Sequence, residues 1–222
     1  MPVQIGYWKI RGLATPLRML MEHIGQPYEN VYYEQTDAPE FNCDAWFSVK
    51  FNLGLEFPNL PYIKDEEFHM TETIPIMQYL ADKYKPELLG ADAQQRAKVN
   101  MVTSVVVGVK NATTGPCYST GDISAVIGAA KKGLEPIVKF LGNNKFLTGE
   151  SVTFIDFYFW EMLQAIRVSY PDLYTDFPTL AVYHETVRAV SGVKEYFDKE
   201  DCPEHTLSFN NKSAKINATV KN

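Results

Sequence analysis

Tyr7 closes a short apolar strand, Val3 to Tyr7, and the next residues, Trp8-Lys9-Ile10-Arg11-Gly12-Leu13, read as a loop entering a helix. A phenol at the carboxyl end of a first strand, facing such a loop, can donate a hydrogen bond to a bound ligand. Taken alone, a strand-end tyrosine is more often a half-buried packing residue. The cysteines offer less. Cys43, Cys117 and Cys202 are odd in number, widely spaced and in no metal-ligand pattern, and no Cys-x-x-Cys occurs. They read as reduced thiols of a cytoplasmic protein rather than a disulfide framework, a metal centre or a cysteine-based redox site. The Asn-x-Ser/Thr triplets at Asn111, Asn211 and Asn217 read as chance matches.

Composition narrows the class. With 222 residues, 45% hydrophobic and 22% charged, the chain can form one large domain or two small ones with a substantial core. A formal charge of −6 argues against nucleic acid as the main partner, because phosphate binding needs a basic face. Met1 to Gly25 lacks a basic start, an uninterrupted apolar run and a small-residue cleavage site, so no secretory signal is expected. No stretch approaches the ~18 apolar residues of a membrane span, and no membrane association is expected.

The elements that must carry Tyr7 follow from periodicity. Leu17, Leu20, Met21 and Ile24 form one apolar helical face that Gly25 ends, and Tyr28 to Tyr33 alternates as a second strand. Strand-helix-strand order predicts a parallel pair with a right-handed crossover. A long loop from Glu34 to Pro58 holds Trp46 and Lys50. Leu60 to Lys64 and Phe68 to Met70 read as an antiparallel hairpin turning at Asp65-Glu66-Glu67, and a helix follows over Thr73 to Tyr84 with Pro75 tolerated in its first turn. Lys85 to Gly90 breaks the pattern, so residues 1–84 and 91–222 are expected to be separate domains joined by 85–90.

Beyond the break only helices are expected. Val102, Val105, Val106 and Val109 mark one, and Ile123, Val126, Ile127, Ala130, Leu134, Ile137, Val138 and Leu141 another, in which Gly128, Gly133 and Pro136 must be offset by packing. Thr153 and Asp156 cap a helix through Phe157, Trp160, Leu163 and Arg167, and another runs over about Pro178 to Val190. From Cys202 to Asn222 the chain reads as a polar tail laid over the surface.

This order, βαβ then ββα then all-α, suggests a thioredoxin-like module with a helical partner. Its residues are more specific. Gly6-Tyr7-Trp8 with Arg11-Gly12-Leu13, Asp37-Ala38-Pro39, Trp46, Lys50-Phe51, Leu53-Gly54-Leu55, Phe57 to Tyr62, and Phe154-Ile155-Asp156-Phe157 fall in one order that closely resembles the cytosolic glutathione S-transferases, within them the mu class. The likeness spans nearly the whole chain, thinning from Asn100 to Lys145 and after Cys202.

The resemblance implies an enzyme that conjugates the thiolate of glutathione to small hydrophobic electrophiles, with glutathione as co-substrate and no cofactor. Tyr7 would donate to the thiolate, with Trp8 and Leu13 beside it; lowering a thiol pKa by about two units takes ~2.7 kcal/mol. Trp46 and Lys50 match the positions that hold the glycyl carboxylate, and Asn59 and Leu60 those that pair with the tripeptide's amides. Pro61 matches a cis proline. Glu72 and Thr73 match the γ-glutamyl position at a helix start, where free N–H groups favour a carboxylate. Tyr118 aligns with a second tyrosine that faces the electrophile. Phe57 matches an aromatic key between subunits, implying a homodimer, although an ordinary core phenylalanine fits the residue as well.

The chain also departs from the mu pattern. Cys43 stands where an arginine is usual and Glu72-Thr73 where Gln-Ser is usual. Gly108 aligns with an aspartate that reaches the partner's γ-glutamyl ammonium, and no acid lies between Asn100 and Asn111. Glu72 is therefore expected to supply that carboxylate within its own subunit. These changes keep two other readings open: a carrier protein of this fold with little activity, and a glutathione-dependent isomerase.

Overall fold

The computed structural model describes residues 1–218. Strand β1 (Val3–Trp8) passes through α1 (Thr15–Ile24) to β2 (Tyr28–Tyr33), and β1 and β2 pair in parallel with Tyr7 opposite Tyr32. Gly25, at φ 77°, ends α1 in the left-handed conformation that spares a Cβ its clash. A short helix α2 (Asp44–Phe47) lies in the segment expected to be bare loop. Then come β3 (Tyr62–Asp65) and β4 (Phe68–Thr71), an antiparallel hairpin, and α3 (Thr73–Tyr84). The four-stranded sheet runs β2-β1-β3-β4, so β1 is flanked on both sides and its carboxyl end opens at the middle of the sheet.

A 3₁₀ turn (Pro86–Leu89) leads to α4 (Ala93–Tyr118), α5 (Ile123–Leu141), α6 (Phe154–Arg167), α7 (Leu173–Asp176), α8 (Pro178–Arg188) and α9 (Val193–Asp198), and a second 3₁₀ turn spans Pro203–His205. No strand follows β4 among the described residues. The start of α6 is held by Asp156, whose carboxylate accepts from the N–H groups of Thr153 (2.8 Å) and Leu147 (2.9 Å) and from the Tyr183 hydroxyl (2.8 Å). The short helices α7 and α9 are too brief to leave a periodic signal.

The glycines of α5 have different jobs. A Cβ on Gly133 would sit 2.5 Å from Val109 Cγ2, so its bareness lets α4 and α5 approach closely at the level of the site. Gly128 faces open space.

The chain after Cys202 corrects the surface-tail reading. Glu204, Leu207 and Phe209 are buried, Glu204 completely; residues 219–222 of that expected tail lie outside the described residues. Glu204 is taken inside because its partners come from distant segments: Arg18, Thr15 (2.7 Å) and Tyr196 (3.0 Å) all donate to its carboxylate. Arg11 grips Glu161 of α6 through two bonds of 2.6 and 2.9 Å, and its backbone N–H donates to Ser208 O at 2.8 Å. This buried network ties the loop after β1 to the helical part and to the carboxyl-terminal segment.

Two outcomes are expected. Gly133→Ala, despite about 1 kcal/mol of gained helix propensity, should lower the urea midpoint through overpacking costs of about 1–3 kcal/mol, whereas Gly128→Ala should raise it. Burial works against the Glu204 charge, but Arg18 and Arg11 outweigh it and hold the carboxyl below its usual range. Its stabilising contribution is thus complete above a pH of about 4.3, the ordinary glutamate value, and is lost as pH falls further through the lower folded-state value. Glu204→Gln should cost about 3–5 kcal/mol at pH 7, and the gap to wild type should narrow on acidification; equal urea midpoints at pH 7 would refute the role.

Candidate active site

The loop between β1 and α1 sets the central group. Tyr7 is buried, 7% exposed, and its phenol oxygen accepts the Leu13 backbone N–H at 3.2 Å. That bond uses a lone pair, and among the described residues no acceptor takes the phenol hydrogen. Burial pushes the Tyr7 pKa well above the ordinary tyrosine value, the Leu13 bond offsetting only part of the shift. Tyr7 is therefore neutral at physiological pH, with its phenol hydrogen available for donation. Gly12, at φ 43°, makes the approach feasible, since a Cβ there would lie 2.7 Å from the phenol oxygen.

Tyr7 opens onto a cavity of about 200 Å³. Leu13 and Tyr118 share its lining, so the structure brings these three expected residues together. Tyr118, 40% exposed at the end of α4, accepts the Asn211 backbone N–H at 2.9 Å, which ties the cavity rim to the carboxyl-terminal segment. Trp8 is half-buried against the core and does not line this cavity.

A second group forms around Trp46. Gly6 lies opposite Tyr62 in the β1–β3 register, and a Cβ on Gly6 would be 2.1 Å from the Tyr62 ring. The ring occupies that space and stacks on Trp46 at 6.2 Å, while Tyr33 meets Trp46 edge-on at 5.2 Å. Lys50 Nζ lies 5.9 Å from the Trp46 ring and 5.1 Å from that of Phe51, a cation–π setting for a half-buried ammonium. Cys43 receives a hydrogen bond from Gln35 Nε2 at 3.5 Å just ahead of α2.

A third group sits at the start of α3. Asn59 Nδ2 donates to Glu72 Oε1 at 3.0 Å, and both side chains are exposed. Glu72 has a φ of 74°, outside the usual range of a side-chain-bearing residue, and a residue held there often marks a ligand site. Thr73 is buried and its hydroxyl has no hydrogen-bond partner among the described residues. Leu60 is buried beside Asn59, and the Leu60–Pro61 bond is cis, as expected; Ala38–Pro39 is cis too. Phe57 is 76% exposed, which rules out the core reading within this chain.

Sequence reading missed Lys110, Asn111, Thr114, Phe209 and Asn210, which complete the Tyr7 cavity. A signal existed for Lys110: Val99, Thr103, Val106, Lys110, Thr113 and Cys117 repeat at steps of three and four, placing a lysine on the buried stripe of α4. Among the described residues, no group of three or more histidines, cysteines or carboxylates is set to hold a metal, and no helix is long and apolar enough to cross a membrane.

Comparison with known proteins bears on this arrangement. The model of the glutathione S-transferase N-terminal domain matches residues 3–82, and that of the C-terminal domain residues 126–200. A class-mu 26 kDa glutathione S-transferase of Fasciola hepatica (isozyme 51) is 35% identical over 204 residues, 90% of each chain. Glutathione S-transferase Mu 1 of Oryctolagus cuniculus is 34% identical over 200 residues, 88% of this chain and 90% of its own. The crystal structure of the glutathione S-transferase Blo t 8 superposes with a TM-score of 0.84 at 27% identity, covering 96% of this chain and 99% of that one. With both domain models and mu-class relatives matching along most of its length, the chain belongs to the glutathione S-transferase family.

Proposed function

We propose that the protein is a glutathione transferase of the mu type that joins the thiolate of glutathione to small hydrophobic electrophiles. The observation that carries this reading is the state of Tyr7: a buried, neutral phenol with its oxygen oriented by Leu13 N–H and its hydrogen unclaimed, at the mouth of a cavity sized for a small ring. Its hydrogen bond favours the charged form of the thiol, and the thiolate is the nucleophile. With an aryl halide, a C–S bond forms, the halide leaves with its bonding pair, and the thiol proton passes to solvent.

The other expected residues take complementary roles. Trp46 N–H and the Lys50 ammonium hold the glycyl carboxylate, and Asn59 with the Leu60 backbone pairs with the tripeptide's amides. Thr73 and the free N–H groups of α3 receive the γ-glutamyl carboxylate, and Glu72 faces its ammonium. Leu13 borders the thiol and Tyr118 faces the electrophile, whereas Trp8, which does not line this cavity, is left a packing role. Residues 1–84 would bind glutathione and residues 91–222 shape the second site, joined by 85–90.

Exposed Phe57 acts as the key of a homodimer, an assignment supported by its 76% exposure. We place the enzyme in the cytoplasm, in detoxification, with glutathione as co-substrate and no cofactor.

Glutathione-affinity retention followed by an aryl-halide conjugation assay tests the reading. Tyr7→Phe should keep glutathione binding and lower turnover about tenfold or more at neutral pH; an unchanged rate removes Tyr7 from the chemistry. A wild type that binds the resin yet turns over no electrophile would make the protein a carrier. Glu72→Gln should raise the glutathione KM severalfold with the fold intact, and an unchanged KM would leave the ammonium to another group.

A further inference from the structure

Lys110 is the charged residue of the Tyr7 cavity lining, and the conjugation reading gives it no part. It lies on the buried stripe of α4, only 8% exposed, and borders the cavity that Tyr7 and Tyr118 share. Among the described residues its side-chain ammonium has no ion-pair or hydrogen-bond partner. A buried ammonium without a partner is costly, and such groups are retained where they meet a ligand or else give up their proton. Burial indeed pulls the Lys110 amine below the ordinary lysine range, with the charge of Glu161 partly offsetting it.

The charges behind the cavity do not balance. Arg11 and Arg18 are matched by Glu161 and Glu204, each in direct contact. Lys110 is the cation left over, and the Glu161 carboxylate nearby is already held by both arms of Arg11. The cavity lining is mixed: Ile10, Leu13 and Phe209 are apolar, and Lys110, Asn111 and Asn210 are polar. At about 200 Å³ it exceeds the ~150 Å³ that admits a benzene ring.

We propose that Lys110 is the counter-ion for a carboxylate on the second substrate, so that the site prefers small aromatic electrophiles that already carry a negative charge. The ring would pack against the apolar lining residues within reach of the thiolate at Tyr7, with its carboxylate on the Lys110 ammonium. This inference rests on the conjugation reading for its chemistry but not for its binding test. Bringing in the anion gives the buried ammonium a partner and favours its charged form. Conjugation itself is unaltered: the glutathione thiolate forms the C–S bond and chloride departs with its electron pair.

The binding arm uses the intact protein saturated with S-methylglutathione, which occupies the Lys50 end. Calorimetry with 3,5-dinitrobenzoate and with uncharged 1,3-dinitrobenzene is compared across wild type, Lys110→Met and Lys110→Arg. The benzoate should bind Lys110→Met at least tenfold more weakly than wild type, the neutral ring within twofold, and Lys110→Arg should keep most of the benzoate affinity. The kinetic arm compares kcat/KM for 4-chloro-3,5-dinitrobenzoate and 1-chloro-2,4-dinitrobenzene, and their ratio should fall at least tenfold in Lys110→Met. Equal benzoate affinity in wild type and Lys110→Met overturns the proposal. Normal benzoate discrimination in a protein that turns over neither halide upholds Lys110 as the anion site while overturning the transferase reading.

Discussion

Everything at the site depends on a buried set of charges: Arg11 on Glu161, and Arg18 on Glu204. Removing ions from water costs as much as their attraction returns, so such pairs add little net stability over apolar packing. What they impose is an arrangement, because a mispaired member would leave a naked charge in the interior. Arg11 lies two residues before Leu13, and it is held both through its guanidinium and through its backbone bond to Ser208. The Leu13 N–H that orients the Tyr7 phenol is thus located by contacts to α6 and to the carboxyl-terminal segment. The loop after β1 cannot be understood from the sheet alone.

Burial acts on two acids in opposite senses for function. It raises the Tyr7 phenol, which is useful because a neutral phenol keeps its hydrogen for donation. It would also raise a bound thiol, which is harmful because the thiolate is the nucleophile. The protein's own thiols illustrate the second effect: Cys117 and Cys202 are both pushed up by burial. A thiol carried into this cavity needs donors that outweigh desolvation, and the Tyr7 hydroxyl, oriented by Leu13 N–H, is a preorganised one. Depth of burial and supply of donors have to be read together.

Legibility in the sequence followed the range of the interactions. The sheet, the parallel β1–β2 pair, the Gly25 stop of α1 and the start of α6 were readable because their causes are local: alternation, a left-handed glycine, a carboxylate one turn into a helix. Tyr7, Trp46 and Asn59 were readable as members of one ordered set, and Glu72 as a departure from its pattern. Glu204 was not, because an isolated glutamate in a polar stretch looks solvated, and its partners Thr15 and Arg18 lie near the other end of the chain. The short α2, α7 and α9 carry too few residues for a period. Lys110 was readable in principle, as a charge on an apolar stripe, but only its place in the cavity gives that anomaly a meaning.

Missing side chains position the groups around Tyr7 and Trp46 as firmly as present ones do. Gly12 admits the phenol, and Gly6 admits the Tyr62 ring on which Trp46 stacks. From Gly6 through Tyr62 and Trp46 to Lys50, each ring is fixed by the one before it, so a cation in a long loop inherits the rigidity of the central strand. The Asn59–Glu72 pair has no such support: both side chains are exposed, and one hydrogen bond joins them. Packing therefore fixes the groups around Tyr7 and Trp46 and leaves the start of α3 adjustable. An altered pair such as Glu72-Thr73 can be accommodated there because few buried contacts depend on the Glu72 side chain, whereas a change at Gly6 or Gly12 would displace a ring.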